Sequence, residues 1–320
     1  MHAEAGSHRP VNRDQLILGI DGGGTKTLAW LADAEFPEKT LGTGVAGPSN
    51  QRAVGPMVAM NNLEQAVEMA FESAGIARQT VQSACLGLAG ADRSSDRSVV
   101  ERWAEESRLA TRLLVVNDAL PLLYLAPLSG QGVALICGTG SLAYGRASSG
   151  RTARAGGWGY LLGDEGSAYA IGRSVLSAVL HSFDGCDEPT RLQDDVLTSL
   201  GISAVPEIVS AVYGAEVPRA VIAELAPLAF TASESGDPVA DRILSDAARQ
   251  LTSMVNAVAR RLELKESPLV VSGSVLLQQQ SFRFQVLEEL DKKRFTHVVL
   301  AVDPVQGAVR LAAEQLNTAR

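Results

Sequence analysis

The sequence lacks several features that would place the protein in a specialised class. It contains 3 cysteines in 320 residues, Cys85, Cys137 and Cys186, and no two of them form a C-x-x-C pair. This spacing supports neither a zinc knuckle nor a disulfide framework. The 4 histidines are also scattered, so neither a zinc cluster nor a histidine nucleophile is supported. A reducing compartment, the cytoplasm, fits this composition best.

Basic residues and long apolar runs are scarce as well. The 28 Lys and Arg against 36 Asp and Glu give a formal net charge of -8. No broad basic surface is therefore expected to neutralise a nucleic acid or an anionic membrane. Glycine or charge interrupts each long apolar stretch before about 18 residues, and the polar leader has no apolar core. The sequence predicts neither a signal peptide nor a membrane span, and a small molecule is the favoured partner.

The length and the periodicity indicate a two-lobed α/β protein. A chain of 320 residues exceeds the roughly 100 to 200 residues of a typical domain. From residue 15, alternation predicts three antiparallel strands, a helix over roughly 51–75, and then a strand, a helix capped by Ser94 or Ser95, and a strand. After residue 130 an apolar strand again enters a Gly/Thr turn and continues into a second strand. This recurrence indicates an internal duplication.

The first turn, Gly22 to Thr27, is unusually rich in glycine. Because Lys26 follows Thr25 and not a glycine, the turn is no Walker P-loop, and the third glycine of a dinucleotide fingerprint is missing. What remains is a hairpin whose backbone N–H groups can approach an anion, with hydroxyls from Thr25 and Thr27. An ordinary tight hairpin is the alternative.

Two further features extend this anion site. Asp21, at the end of the first strand, can hold a hydrated Mg²⁺ against phosphates, or it can instead accept hydrogen bonds from the turn. In the second repeat, the segment Gly138 to Ser141 supplies the same permissive backbone and two hydroxyls. Two such turns predict that the ligand is a triphosphate.

The order of the motifs resembles one family. "GIDGGGTKT", "VVNDA", "LICGTGS", "GGWGYLLGDEGSAY", "VVSGSV" and "DPVQGAVRLA" resemble the N-acetylglucosamine kinase branch of the superfamily that includes the activator ATPases of benzoyl-CoA reductase. The resemblance implies a duplicated actin-like (ribonuclease H-like) ATPase fold, with two lobes around a nucleotide cleft. Residues 1–14 show no periodicity and are expected to form a disordered leader. The domains expected after it are an N-terminal lobe (15–118), a C-terminal lobe (119–302) and a terminal helix (303–320) that packs back on the N-terminal lobe.

The resemblance also implies the site residues. Asp118 would be the catalytic base for a sugar hydroxyl, unless it or Asn117 only caps the next helix. Asn50 could likewise be a helix cap, and Glu165 and Ser167 could serve a helix N-terminus. The implied ATP-binding residues are Gly22, Gly23, Gly24, Thr25, Lys26, Gly138, Thr139, Gly140, Gly273 and Ser274, the last two in a turn near the adenosine or a bare strand-to-helix turn. The implied sugar-binding residues are Asn50, Gly90, Asn117, Asp118, Gly157, Trp158, Gly159 and Asp164, and less surely Ser49.

The implied reaction is transfer of the γ-phosphoryl group of ATP, with Mg²⁺, to the 6-hydroxyl of N-acetylglucosamine or glucosamine. Leu142 and Ala89 replace polar residues of the mammalian-type pattern, which leaves N-acetylmuramic acid and glucose open as acceptors. An activator ATPase of a partner reductase or dehydratase is the alternative, although the three separate cysteines do not resemble its cluster ligands. A sugar-sensing regulator would need a longer leader for a helix-turn-helix. The expected protein partner is a second copy, in a homodimer.

Overall fold

The computed structural model describes residues 15–128, 130–213 and 219–317. The predicted leader, residues 1–14, lies outside this part of the chain. The described residues form two compact units. The first unit runs to Leu125 and resumes at Asp303, and the second comprises Ala126–Val302.

The first unit contains a five-stranded sheet. Its strands are β1 (Leu16–Gly22), β2 (Thr27–Asp33), β3 (Phe36–Ala46), β4 (Val81–Leu88) and β5 (Ala110–Asn117), in the order β3-β2-β1-β4-β5. The predicted antiparallel arrangement of the first three strands is confirmed. Strands β1, β4 and β5 are parallel to one another. Since parallel strands end at the same edge of a sheet, the residues after β1, β4 and β5 come together there.

The helices of the first unit pack on this sheet. They are α1 (Gln51–Val54), α2 (Pro56–Ser73), α3 (Ser94–Glu106), α4 (Ala119–Leu122), a 3-10 turn (Leu123–Leu125) and a C-terminal helix (Pro304–Asn317). The C-terminal helix lies close against β1, because a Cβ atom placed on Gly19 would lie 2.5 Å from the backbone nitrogen of Val309.

Two local predictions for this unit are wrong. The helix predicted over 51–75 is divided into α1 and α2 at Gly55, which has φ +80°, and Pro56 then starts the second helix. Proline has no N–H to continue the first helix, and its fixed φ suits a first helical turn. Neither Ser94 nor Ser95 caps α3, since both lie inside its first turn and Arg93 precedes it without a side-chain cap.

The second unit repeats the sheet of the first. Its strands are β6 (Gly132–Cys137), β7 (Ser141–Arg146), β8 (Thr152–Gly156), β9 (Ser267–Ser272) and β10 (Phe295–Leu300), in the order β10-β9-β6-β7-β8. Again the first three strands are antiparallel and the last two run parallel to the first. The duplication is therefore one of topology. Strand β8 was not predicted, because "TARAG" is short and its alanines and glycine have low strand propensity.

Helices cover the sheet of the second unit. They are α5 (Ala168–Phe183), α6 (Leu192–Leu200), α7 (Glu207–Tyr213), α8 (Arg219–Ala223), α9 (Ala226–Glu234), α10 (Pro238–Arg261), α11 (Ser274–Gln278) and α12 (Gln280–Glu288). Helix α10 buries one apolar face, including Leu244, Leu251 and Val255, and this face joins the core of the unit. No helix in the described ranges is long and apolar enough to span a membrane.

Candidate functional site

Three strand ends of the first unit meet where the sequence predicts the phosphate turn. Gly22 of β1 is paired with Leu88 of β4, and Leu88 is paired with Asn117 of β5. This register places Asp21, at the end of β1, near Asp118, which follows β5. The carboxyl ends of parallel strands are a common position for ligands in open α/β sheets.

The turn after β1 exposes backbone donors. The N–H of Gly23 donates to the carbonyl of Lys26 at 3.0 Å, which closes the turn. The N–H groups of Gly24 and Thr25 have no backbone partner within the described ranges. The hydroxyl of Thr27, in contrast, is buried and donates to the carbonyl of Gly47 at 2.7 Å, so it supports the turn from within. Unpartnered N–H groups on a glycine turn suit an anion.

The two aspartates beside this turn have unusual acidities. Loss of surrounding water raises the pKa of Asp21 to about 7, the nearby charge of Asp118 also raises it, and Lys26 opposes both effects. Loss of water likewise raises the pKa of Asp118 to about 6, with a contribution from Asp92. Each carboxylate is therefore ready to take up a proton or to lie beside a cation at neutral pH.

Asn117, and not Asp118, caps helix α4. The Oδ1 atom of Asn117 accepts hydrogen bonds from the N–H groups of Ala119, at 3.1 Å, and Leu120, at 2.9 Å. Its Nδ2 atom donates to Asp92 at 3.0 Å. Asp118 has a helical backbone and makes no side-chain cap hydrogen bond. The helix is thus capped by its neighbour, which leaves the Asp118 carboxylate for a ligand.

Asn50 and Gly90, both predicted to bind sugar, lie close together. A Cβ atom placed on Gly90 would lie 3.6 Å from Oδ1 of Asn50. That oxygen accepts the N–H of Arg52 at 3.1 Å, so Asn50 does cap α1, as the alternative interpretation held. Beside it, the buried hydroxyl of Ser49 has no hydrogen-bond partner in the described part of the chain. This corner of the first unit therefore still offers polar groups to a ligand.

The second anion turn, Gly138 to Ser141, is held by the loop that contains "GDEGSAY". The N–H of Ala168 donates to the carbonyl of Gly138 at 2.9 Å, and the hydroxyl of Ser141 donates to the carbonyl of Glu165 at 2.6 Å. The N–H groups of Thr139 and Gly140 have no backbone partner among the described residues. Both units thus present a glycine turn with free donors.

Gly273 and Ser274 lie against this second turn. Gly273 has φ +93°, and a Cβ atom there would overlap the backbone of Cys137, the last residue of β6. A Cβ atom placed on Gly138 would lie 3.7 Å from the backbone nitrogen of Ser274. The ATP-binding residues predicted in the second unit therefore form one group at the ends of β6 and β9.

Asp164 joins the same group through a partner that the sequence did not reveal. Its buried carboxylate accepts the N–H of Ser141 at 3.3 Å and forms an ion pair with Nη2 of Arg219 at 2.7 Å. Burial raises the pKa of Asp164, and Arg219 opposes this increase. Asp164 also has φ +60°, a strained value for a residue with a side chain. Arg219 starts a short apolar helix, and no motif marks it.

The glycines around Trp158 shape an exposed aromatic surface. Trp158 is 58% exposed, and the guanidinium of Arg154 lies 4.5 Å from its ring centroid. Gly157 and Gly159 have φ +69° and +88°. A Cβ atom on Gly157 would lie 3.0 Å from Cδ1 of Leu142, so the departure from the mammalian-type pattern lies directly beneath this loop.

The described residues contain no group of three His, Cys, Asp or Glu that could hold a metal ion. Cys85 and Cys137 are buried within strands, and burial raises the pKa of both thiols well above the usual range. Iron–sulfur clusters bind thiolates, so these cysteines are poor cluster ligands.

Comparison with known sequences identifies close relatives. The profile of the BadF/BadG/BcrA/BcrD ATPase family matches residues 18–312. The N-acetylmuramic acid/N-acetylglucosamine kinase of Clostridium acetobutylicum is 35% identical over 305 residues, which cover 94% of this chain and 99% of the relative. The N-acetyl-D-glucosamine kinase of Dictyostelium discoideum is 31% identical over 315 residues, covering 93% and 98%.

Solved structures share the fold. A Chromobacterium violaceum protein described as a candidate N-acetylglucosamine kinase superposes with a TM-score of 0.74 at 26% identity, covering 93% of this chain and 99% of that one. The ROK hexokinase of Thermus thermophilus superposes with a TM-score of 0.55 at 18% identity, covering 95% and 100%, and supports the fold alone. The predicted fold class, a duplicated actin-like α/β fold, is confirmed.

Proposed function

The chain belongs to the BadF/BadG/BcrA/BcrD ATPase family, and from this premise we propose that it is an ATP-dependent amino-sugar kinase. The observation that carries the proposal is the strand-end site of the first unit. There, the carboxylate of Asp118 does not cap the following helix and has a pKa of about 6. It lies near a glycine turn whose N–H groups at Gly24 and Thr25 have no backbone partner in the described ranges. A base and an anion-binding turn are the two parts that phosphoryl transfer to a hydroxyl requires.

Asp118 takes the role of catalytic base. It accepts the proton of the sugar 6-hydroxyl while that oxygen attacks the γ-phosphorus of ATP and the bond to the bridging oxygen of ADP breaks. A pKa near the working pH lets the carboxylate be ionised and still accept a proton. The N–H groups of the turn at Gly24 and Thr25, and of the turn at Thr139 and Gly140, bind phosphate oxygens.

Asp21 fits a magnesium ion. Loss of water and the charge of Asp118 raise the pKa of its carboxylate to about 7, and a divalent cation beside it would favour the ionised form. Mg²⁺ is commonly bound by one or two carboxylates, water and substrate phosphates, so a cluster of three ligands is not required. When bound there, Mg²⁺ neutralises charge on the phosphates. Lys26, on the exposed side of the turn, adds a positive charge that lowers the pKa of Asp21.

The proposed acceptor is N-acetylglucosamine, with N-acetylmuramic acid as a second substrate. Relatives that match almost the whole chain are named for these two sugars, and a third, 25% identical, is named as a glucosamine kinase. In this chain, Asn50 supplies a polar side chain, and Gly90, beside it, lets a ligand approach the backbone. Trp158 supplies an exposed ring for the apolar face of a sugar.

A substrate panel tests the proposed activity. ADP release is measured with N-acetylglucosamine, N-acetylmuramic acid, glucosamine and glucose, each with ATP and Mg²⁺. We expect the two N-acetylated sugars to have the highest kcat/KM, at least about tenfold above glucose, because a site built on hydrogen bonds discriminates strongly against a missing group. If no sugar raises ADP release above the rate in water, the kinase assignment is wrong.

The proposed base predicts how activity depends on pH. Because burial raises the pKa of Asp118 to about 6, the carboxylate is protonated and inactive below that pH. We expect kcat/KM for the sugar to fall about tenfold for each pH unit below 6. The measurement uses saturating ATP and excess Mg²⁺ from pH 4.5 to 8, and circular dichroism at each pH controls for unfolding. A rate that stays constant down to pH 5 would contradict this role.

We also propose that the protein is a homodimer located in the cytoplasm. Size-exclusion chromatography with light scattering tests the dimer through its mass.

The alternative of a reductase activator makes a separate prediction, a coloured iron–sulfur cluster after anaerobic purification, and the buried thiols of Cys85 and Cys137 argue against it.

A further inference from the structure

Asp164 places a carboxylate directly beside the second anion turn. A Cβ atom placed on Gly140 would lie 2.9 Å from Oδ1 of Asp164, so carboxylate and turn are in contact. The carboxylate is buried, whereas the neighbouring Glu165 is exposed and solvated. A buried negative charge several ångströms from a bound phosphate is strongly repulsive, because little water screens it. Something must offset this charge if the turn is to bind ATP.

Arg219 lies where its positive charge can offset the negative charge of Asp164. Its Nη2 atom is 2.7 Å from Oδ2 of Asp164 and would be 2.6 Å from a Cβ atom on Gly140, so the guanidinium touches both carboxylate and turn. The guanidinium also lies 5.6 Å from the ring centroid of Tyr160. Its Nε atom is buried without a hydrogen-bond partner in the described part of the chain. An unpartnered buried donor is costly, whereas the Nη2 atom of the same guanidinium donates to Asp164, so the positive charge is held at the turn by this one ion pair.

We propose that Arg219 is a positioning residue for nucleotide binding, which holds Asp164 on the N–H of Ser141 and cancels its charge beside the phosphate turn. This inference rests on the proposed function, in which the turn binds phosphates of ATP. It differs from the predicted sugar contact of Asp164, because it assigns the ion pair to the nucleotide. The pair thus lets a carboxylate support the shape of an anion-binding turn without repelling the anion.

The test measures ADP binding by isothermal titration calorimetry without sugar, so the readout does not depend on phosphoryl transfer. Arg219→Gln leaves the carboxylate uncompensated, and we expect Kd to rise roughly tenfold or more, the effect of one charge at an effective dielectric of about 20. Arg219→Lys keeps the charge and should stay within about threefold of the wild type. Asp164→Asn leaves the guanidinium unopposed and should lower Kd at least about threefold. The double variant should bind like the wild type.

A gain of affinity in Asp164→Asn is the decisive result, because misfolding cannot produce it. Asp187→Asn and Arg242→Gln are matched controls, since this pair in the same unit is similarly close, at 2.8 Å, but is exposed; both should leave Kd unchanged. If Asp164→Asn binds ADP no more tightly than a binding-competent wild type, the inference alone is wrong. If the wild type itself does not bind ADP, the proposed function is wrong, and this inference with it.

Discussion

Asp118→Asn is expected to lower kcat by roughly 10²- to 10⁴-fold while the sugar still binds. The amide has nearly the shape of the carboxylate but cannot accept the proton of the attacking hydroxyl. Helix α4 should remain intact, because Asn117 provides its cap. The measurement combines steady-state ADP release with sugar binding by calorimetry, so that lost chemistry is separated from lost affinity.

The same substitution should stabilise the protein above neutral pH. The pKa of Asp118 is about 6 in the folded state and 3.8 in the unfolded reference. Since the folded pKa is the higher one, ionisation of Asp118 destabilises the fold as the pH rises from about 4 to 6. We therefore expect Asp118→Asn to have a higher Tm than the wild type at pH 7.5, and the difference to vanish near pH 4.

Glu72→Gln is the matched control, because Glu72 is an exposed carboxylate at the end of α2 in the same unit. Glu72→Gln should keep the wild-type kcat, and the change in its Tm between pH 4 and pH 7.5 should equal that of the wild type. If Asp118→Asn retained the wild-type kcat, another group would have to be the base. A loss of both sugar binding and Tm would instead indicate that Asp118 supports the structure of the strand edge.

Gly273→Ala is expected to lower the free energy of unfolding by about 2–5 kcal/mol, through backbone strain and overpacking together. Gly273 has φ +93°, and an added Cβ would overlap the carbonyl group of Cys137. These atoms belong to the backbone at the end of β6, so they cannot move aside as a flexible side chain can. We also expect weaker ADP binding, because Cys137 leads directly into the Gly138 turn. Urea unfolding and calorimetry measure the two effects.

Gly236→Ala separates the stability lost through backbone strain from the stability lost through steric overlap. Gly236 has φ +80°, but no atom lies within 4 Å of a Cβ placed there. This variant should lose only the conformational part, about 1–2 kcal/mol, and should bind ADP like the wild type. Equal losses of stability in the two variants would contradict the packing argument. Normal ADP binding by Gly273→Ala would contradict a role for this turn in nucleotide binding.

Much of the fold was predictable because its signals are local. Alternation of apolar residues predicted β1 to β3, and glycine turns after β1 and β6 predicted the duplication that the two sheets share. The errors were also local. A helical period continues through Gly55 and Pro56, so periodicity alone joined α1 to α2. Strand β8 forms because β7 offers it a partner, and "TARAG" itself carries little strand signal.

The site divides in the same way. By itself, the sequence determined the residues at the strand ends, Asp21 and Asp118, and the two glycine turns, because these lie next to the strands that hold them. Only the tertiary structure decided between Asn117 and Asp118 as the cap of α4, since both have suitable side chains and only geometry distinguishes them. Likewise, Arg219 reaches Asp164 across 55 residues of chain, and a charge contact at that separation leaves no periodicity or motif to read.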